Sequence, residues 1–279
     1  MTLGVPKSTQ PLATASSALP MPCSASPLSF VYHLDGARDR HGRGQRWIPG
    51  SALSSTQSRE FAALLDRMQH ERAFDRKGAA AEFMFRLGRA SAPALLLALT
   101  GGHCPSLAAE TTQYLFSDEA FVTGIAVRPE SNRQPPRGLP LRAALARARV
   151  ALQRQHEPVI AALARWAPAQ PRYLWGQSTA AFAMQWLALS AWLGSATRAV
   201  RLADHFFAGQ DIISATRPAF VRTGGRTSLY TIQRSTCCRY HRLPRRTYCQ
   251  SCPLHPLATA PRRFKKTHQA SVGAAVSTS

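Results

Sequence analysis

The sequence predicts an α+β protein with a mainly helical body, a small β-hairpin and a cysteine-rich loop near its C-terminus. Apolar residues make up 45% of the 279 residues, as in ordinary globular proteins. Between residues 58 and 207, apolar side chains recur at helical spacing in several segments. After Asp211, β-branched and aromatic residues lie on both sides of Gly224-Gly225, a pattern typical of a hairpin.

Changes in composition divide the chain into four regions. Residues 1–57 are rich in Pro, Ser, Ala and Gly and have little periodic apolar content, so we expect a flexible N-terminal extension. Residues 58–211 form the predicted helical body, and residues 212–256 the hairpin and cysteine segment. Residues 257–279 are predicted to be a flexible basic tail. A Pro- and Arg-rich break from Arg128 to Pro140 marks a candidate subdomain boundary inside the body.

The elements of the body follow from capping residues and periodicity. Ser58 is a predicted N-cap, because Phe61, Leu64, Leu65 and Met68 follow it at helical spacing. Pro158 is expected to separate two later helices, since proline interrupts helical hydrogen bonding. The further predicted helical segments are 79–87, 92–99, 106–115, 141–155, 159–166, 177–193 and 196–207. The predicted hairpin strands are 219–222 and 228–233.

The chain is strongly basic, with a formal net charge of +21. Residues 212–279 contain twelve Arg or Lys residues and no Asp or Glu. Such a balance favours an anionic partner, which includes nucleic acid, anionic lipid, an acidic protein or a small anion. The residues before Asp211 allow an alternative interpretation. In this alternative the chain is simply rich in Arg and Ala, and the arginines lie on the solvated faces of helices without binding a partner.

The sequence predicts a cytoplasmic protein. The N-terminus lacks the continuous apolar core of a signal peptide. The most apolar window, residues 178–194, is short for a bilayer span and carries Gln185, so it suits a buried helix better. Four of the six cysteines lie between residues 237 and 252, which indicates metal binding in a reducing compartment.

The cysteine segment carries the clearest chemical pattern. Cys237, Cys238, Cys249 and Cys252 follow the spacing C-C-x10-C-x2-C. Four thiolates match the ligand count of a 2Fe–2S cluster. Adjacent side chains point apart, which is awkward around one small ion and suits two irons. Structural zinc is the main alternative, because four cysteines satisfy Zn²⁺ equally well by count, and disulfides are a third.

Further residues around the cysteines extend this pattern. The whole segment resembles the C-terminal motif of FhuF-type siderophore ferric reductases. Besides the four cysteines, the resemblance includes the Arg234-Ser-Thr lead-in, the Arg and Tyr after the cysteine pair, Leu243-Pro244 and the exit Cys252-Pro253. Residues 174–178, Leu-Trp-Gly-Gln-Ser, are similar to a second motif of that family and of related siderophore-synthetase domains. That motif more often has Asn at the position of Gln177.

The resemblance implies a cytoplasmic ferric siderophore reductase. In this family the four cysteines hold the 2Fe–2S cluster, and one-electron reduction of a ferric hydroxamate siderophore releases Fe(II) for iron assimilation. Hard hydroxamate oxygens hold Fe(III) better than Fe(II), so reduction makes the complex labile. The sequence has no dinucleotide-binding fingerprint, so we expect an external, acidic electron donor protein.

Four arginines near the ligands are expected to tune the cluster or to dock a partner: Arg239, Arg242, Arg245 and Arg246. His241 and His255 flank the cysteines and are expected not to be ligands, because four thiols suffice. Cys23 and Cys104 lie outside the motif. A set of aromatic residues is expected in the core, with a siderophore pocket as the alternative: Trp166, Trp175, Trp186, Trp192, Phe182, Phe206 and Phe207.

Two other functions compete with the reductase. One is a zinc-stabilised nucleic-acid-binding protein whose basic C-terminal region contacts phosphates. No known nucleic-acid-reading module fits the motif, so no nucleic-acid partner is expected. The other is a cluster-containing iron sensor. The basic run from Arg262 to Lys266 leaves a peripheral contact with the inner membrane open.

Overall fold

The computed structural model describes residues 31–33, 45–91, 94–95, 98–99, 107–117, 120–127, 139–223, 229–243, 248–249 and 251–254. Most of these residues are helical, and the remainder include two small sheets, which confirms the mainly helical α+β class. Within the described residues, no helix combines the length and the apolar character that a bilayer crossing requires.

The helices and strands are as follows. The helices with defined ends are α1 (Arg59–Arg72), α2 (Arg76–Arg89), α3 (Leu141–Trp166), α4 (Pro171–Ala188), α5 (Ala196–Phe207) and α6 (Ile212–Ala215). The strands are β1 (Val31–His33), β2 (Arg46–Pro49), β3 (Thr112–Phe116), β4 (Val122–Val127), β5 (Ala219–Thr223) and β6 (Leu229–Gln233). The first sheet has the order β1-β4-β3-β2, with only the β1–β4 pair parallel, and β5 and β6 form a separate antiparallel hairpin.

Helix α4 lies at the centre of the core. Every residue from Leu174 to Ala183 is buried. Small residues let α2 approach α4 closely: a methyl group added at Gly88 would lie 2.7 Å from the Cβ atom of Ala181. Within this buried stretch, Gln177 and Thr179 find hydrogen-bond partners in the C-terminal part of the chain, which fixes their side chains.

Part of the predicted N-terminal extension is folded. Strand β2 pairs with β3, and its Ile48 lies opposite Tyr114. Ile48 and the nearby Leu53 are both buried in the hydrophobic core. The flexible extension predicted for residues 1–57 is therefore wrong for Val31–His33, which pairs with β4, and from Arg46 onward, where β2 and a following 3₁₀ turn, Gly50–Ser54, supply core side chains. Residues 1–30 and 34–44 lie outside the described residues.

Three helix predictions differ from the structure. The predicted helix 106–115 is replaced over Thr112–Phe116 by strand β3, whose residues pair with β2 and β4. Pro158 does not divide the helices, and α3 continues through it from Leu141 to Trp166. Helix α4 begins at Pro171 and not at residue 177. Proline is well accepted at the first position of a helix, because the N–H group that it lacks would have no partner inside the helix.

The predicted hairpin and most of the predicted aromatic core are confirmed. Strands β5 and β6 agree with the predicted strands to within one residue at each end. The loop at Gly224-Gly225 lies outside the described residues. Trp192 is the exception among the aromatic residues, with 53% of its surface exposed. Trp166 is partly buried against the core, and the buried members of the set are Trp175, Trp186, Phe182, Phe206 and Phe207.

Two hydroxyl groups fix the hairpin against α4. Thr179 of α4 donates a hydrogen bond to the carbonyl oxygen of Thr216 at 2.7 Å. Ser235, just after β6, donates to the same carbonyl oxygen at 2.7 Å. The chain that leaves the hairpin is therefore held beside the buried face of α4.

A buried histidine provides a pH-dependent contribution to this core. His156 of α3 is fully buried, with its ring 5.1 Å from that of Phe182 and 6.1 Å from that of Trp175. Its Nδ1 lies 2.8 Å from the carbonyl oxygen of Leu152. Burial lowers the pKa of His156 from 6.5 to about 4, although the hydrogen bond to Leu152 opposes the shift.

We predict that the free energy of unfolding falls as the pH drops from about 6.5 to about 4. Protonation of His156 is easier in the unfolded chain than in the core, so the loss by pH 4 amounts to about 3 kcal/mol. Urea unfolding of wild type and His156→Leu across this range measures the difference. His70→Gln, at an exposed position, is the control. The same acid slope in His156→Leu would contradict the prediction.

Candidate metal centre

The cysteines follow directly after the hairpin. We call residues 234–243, 248–249 and 251–254 the cysteine loop. Apart from the short 3₁₀ turn Tyr240–Arg242, the loop has no helix or strand. It closes on itself through its backbone, because the amide of Arg234 donates to the carbonyl oxygen of Ser251 at 3.0 Å. The start and the end of the motif are thereby brought together.

All four cysteine thiols of the motif lie near one another. The sulfur atoms of Cys238 and Cys249 are 3.7 Å apart. The thiols of Cys237 and Cys252 lie near this pair. Cys252 is buried and the other three are partly exposed. The four cysteines therefore lie close together in space, although ten residues separate Cys238 from Cys249 in the sequence.

A metal site requires cysteine sulfurs at defined distances from one another. Within the described residues, no three or more Cys, His, Asp or Glu side chains are already placed around one point as ligands of a single ion would be. Cys238 and Cys249 form a close thiol pair, and Cys237 and Cys252 lie near it. Two sulfurs bound to one tetrahedral ion at about 2.3 Å lie about 3.8 Å apart. The 3.7 Å separation of Cys238 and Cys249 therefore fits two ligands of the same metal ion.

The thiols differ in acidity because each sees a different neighbour. The hydrogen bond from Cys238 lowers the pKa of Cys249 to about 7, and the nearby charge of Arg234 acts in the same direction. The same hydrogen bond, together with burial, raises the pKa of Cys238. Burial also raises the pKa of Cys252. Cys249 is therefore the more acidic thiol of the hydrogen-bonded pair. Metal ions bind thiolates, so metal binding would displace the protons of the other thiols.

The second sequence motif packs directly against the first. A methyl group added at Gly176 of α4 would lie 2.3 Å from the hydroxyl oxygen of Thr236, so glycine permits this contact. Gln177 donates to the same hydroxyl at 2.8 Å and to the carbonyl oxygen of Cys237 at 3.4 Å. Two segments some sixty residues apart therefore form one unit, and residues 174–178 act as the platform of the cysteine loop.

Arg234 connects the platform to both halves of the motif. Its Nε donates to the hydroxyl of Ser251 at 3.0 Å, and one of its terminal nitrogens donates to the amide oxygen of Gln177 at 3.2 Å. Its guanidinium also lies 4.0 Å from the ring centre of Phe85. Only 8% of Arg234 is exposed. The sequence analysis placed Arg234 in the lead-in of the motif, next to the ligands, but gave no indication that it would be buried.

The arginines chosen from the sequence occupy different environments. Arg239 has a left-handed backbone (φ 62°) and forms an ion pair with Asp75 at 2.6 Å. Asp75 also caps α2 by accepting from the amide of Gly78, so the ion pair ties the loop to the start of that helix. Arg242 is exposed. Arg245 and Arg246 lie outside the described residues.

Two further side chains border the thiols. Nδ1 of His241 lies 3.7 Å from the sulfur of Cys237, and the His241 ring stacks on Tyr248 at 4.9 Å. The hydroxyl of Tyr173 is buried and has no hydrogen-bond partner within the described part of the chain. Burial raises the pKa of Tyr173. His255, Cys23 and Cys104 are outside the described residues.

Sequence reasoning missed Asp75 and Tyr173. Asp75 had a detectable signal as a helix N-cap, but nothing in the sequence linked it to a loop more than 160 residues away. Tyr173 precedes the second motif, so its place beside the thiols becomes evident only when that motif packs on the loop. Comparison with known proteins finds no family model that matches the chain and no curated protein that is similar to it.

We predict that Gly176→Ala lowers the free energy of unfolding by about 1–3 kcal/mol, because the new methyl group overlaps Thr236. Thermal and urea unfolding measure the loss. The double variant Gly176→Ala/Thr236→Ala removes the overlapping hydroxyl and methyl groups and should regain part of the stability. Equal losses in the single and double variants would show that the contact with Thr236 is not the cause.

Proposed function

We propose that this protein is a ferric siderophore reductase that binds a 2Fe–2S cluster through Cys237, Cys238, Cys249 and Cys252. The substrate class that fits best is a ferric hydroxamate siderophore, reduced in the cytoplasm to release Fe(II). An external electron donor protein, acidic on its docking face, completes the reaction. The observation that carries the proposal is the meeting of four thiols on a platform formed by the second motif.

The donor set supports iron over zinc. A mononuclear zinc site brings four sulfurs around one point. Among the described residues the four thiols are not gathered around one point, and the sulfurs of Cys238 and Cys249 form a close pair at 3.7 Å. Two ligands at each of two irons is the requirement of a 2Fe–2S cluster, which when bound supplies one electron at a time. That stoichiometry matches the reduction of one Fe(III) to Fe(II).

The surroundings of the loop support the rest of the proposal. The described residues of the cysteine loop include three cationic side chains, namely Arg234, Arg239 and Arg242. Positive charge favours the approach of an anionic siderophore or an acidic donor. Cys237, Cys238 and Cys249 are partly exposed. A cluster bound by them would lie near the surface, which shortens the path for electrons from the donor protein to the cluster and on to the siderophore. No proton relay is needed, because the step moves an electron and leaves the hydroxamate to be protonated by water.

Metal analysis tests the cofactor. Protein prepared without oxygen should be red-brown, contain about two irons per chain and give a paramagnetic resonance signal after dithionite reduction. Cys238→Ser and Cys252→Ser should lose the iron. Cys104→Ser, which removes a cysteine outside the motif, is the matched control and should keep it. Pale protein with one zinc per chain would instead favour the zinc-stabilised alternative.

Release of Fe(II) tests the activity. Protein reduced by dithionite, and freed of excess reductant, should transfer one electron to a ferric hydroxamate, and a coloured Fe(II) chelator should capture the released iron. Cys104→Ser should match wild type and Cys252→Ser should be inactive. An iron-loaded protein that takes up electrons but releases no Fe(II) would contradict a reductase and leave the iron sensor.

A further inference from the structure

Three arginines are buried within the described residues: Arg86, Arg149 and Arg234. Two of them have a carboxylate partner. Arg86 pairs with Glu82 at 2.8 Å, and Arg149 pairs with Asp211. Arg234 forms no ion pair with any carboxylate in the described part of the chain. Its hydrogen bonds go to the neutral groups of Ser251 and Gln177.

A buried charge without a counter-charge is costly. Neutral hydrogen bonds orient a guanidinium group, but they leave most of its lost hydration uncompensated. The other two buried arginines follow the general rule that such charges are paired. The neighbourhood of Arg234 therefore requires a source of negative charge that carboxylates do not supply.

The cysteines provide that source. Ser251, which accepts from Arg234, lies between Cys249 and Cys252. Gln177, the other acceptor, also contacts the backbone of Cys237. The guanidinium is thus fixed at the junction of both halves of the motif, and the backbone amide of Arg234 also donates to the carbonyl oxygen of Ser251. Four thiolates on a metal centre carry net negative charge.

We propose that Arg234 is the buried counter-charge of the four-thiolate centre, and that its positive charge holds the metal in place and favours the reduced state. The part about the reduced state depends on the proposed iron–sulfur function, whereas the part about metal retention does not. Arg234 acts through the cysteines as a positioning residue, since it touches neither substrate nor donor.

Matched substitutions separate charge from packing. Arg234→Lys keeps the positive charge, and Arg234→Gln removes it, while both lose the two-sided hydrogen bonding of the guanidinium. At a fixed electrode potential, Arg234→Gln should lower the ratio of reduced to oxidised protein at least tenfold, a shift of about 59 mV for one electron. Arg234→Lys should lie much closer to wild type. Spectroscopic redox titration measures the ratio, and thermal unfolding checks the fold.

A second pair of variants leaves Arg234 in place. Gln177→Glu puts a carboxylate 3.2 Å from the guanidinium and supplies the missing counter-charge from the protein. Gln177→Met removes the same hydrogen bonds without adding charge. Gln177→Glu should therefore shift the ratio in the same direction as Arg234→Gln, whereas Gln177→Met should leave it near the wild-type value. If Arg234→Gln fails to fold, the two Gln177 variants still test whether Arg234 is the counter-charge of the centre.

The possible failures can be told apart. Iron-loaded wild type whose redox ratio is unchanged in Arg234→Gln and in Gln177→Glu would overturn the inference and leave the proposed reductase standing. Wild type that contains zinc would overturn the reductase. Chelator competition would then decide the inference, since Arg234→Gln should hold zinc at least tenfold more weakly than Arg234→Lys. Equal zinc affinity in the two variants would overturn it.

Discussion

The close contact between α4 and the cysteine loop determines the geometry of the site. The loop has only one 3₁₀ turn of its own, so its conformation has to be imposed from outside. Gly176 lets Thr236 lie directly on α4, and Gln177 holds the backbone at Cys237. Because α4 is buried on every side, it cannot shift without disturbing the core. The sulfur positions therefore depend on the packing of the whole helical body.

The sequence predicted well whatever depends on local chemistry. Ser58 caps α1 as expected from the helical spacing behind it, and the hairpin strands follow from their β-branched and aromatic residues. The sheet β1-β4-β3-β2 was not predicted, because β1 and β2 are short and pair with strands far away in sequence, and the segment of β3 was interpreted as helical. Pro158 failed as a helix boundary, since packing of α3 against the core outweighs the loss of one hydrogen bond.

At the site, spacing identified the cysteines but not their supports. The pattern C-C-x10-C-x2-C is local and carries a chemical meaning by itself. The partners of the loop lie far away in sequence, with Gln177 and Tyr173 on α4 and Asp75 at the start of α2. Arg234 belongs to the loop, yet its importance comes from burial beside thiols and from the lack of a carboxylate, which no sequence pattern encodes.

Exposure separates the arginines of the loop into different physical roles. Arg242 is exposed, so water and salt screen its field, and it acts mainly on the approach of charged partners. Arg239 is largely neutralised by Asp75. Arg234 is buried, where water screens a charge less, and it donates a hydrogen bond to Ser251 between Cys249 and Cys252. The basic composition alone therefore does not rank these arginines, because their different exposure within the described part of the loop gives the same charge different effects.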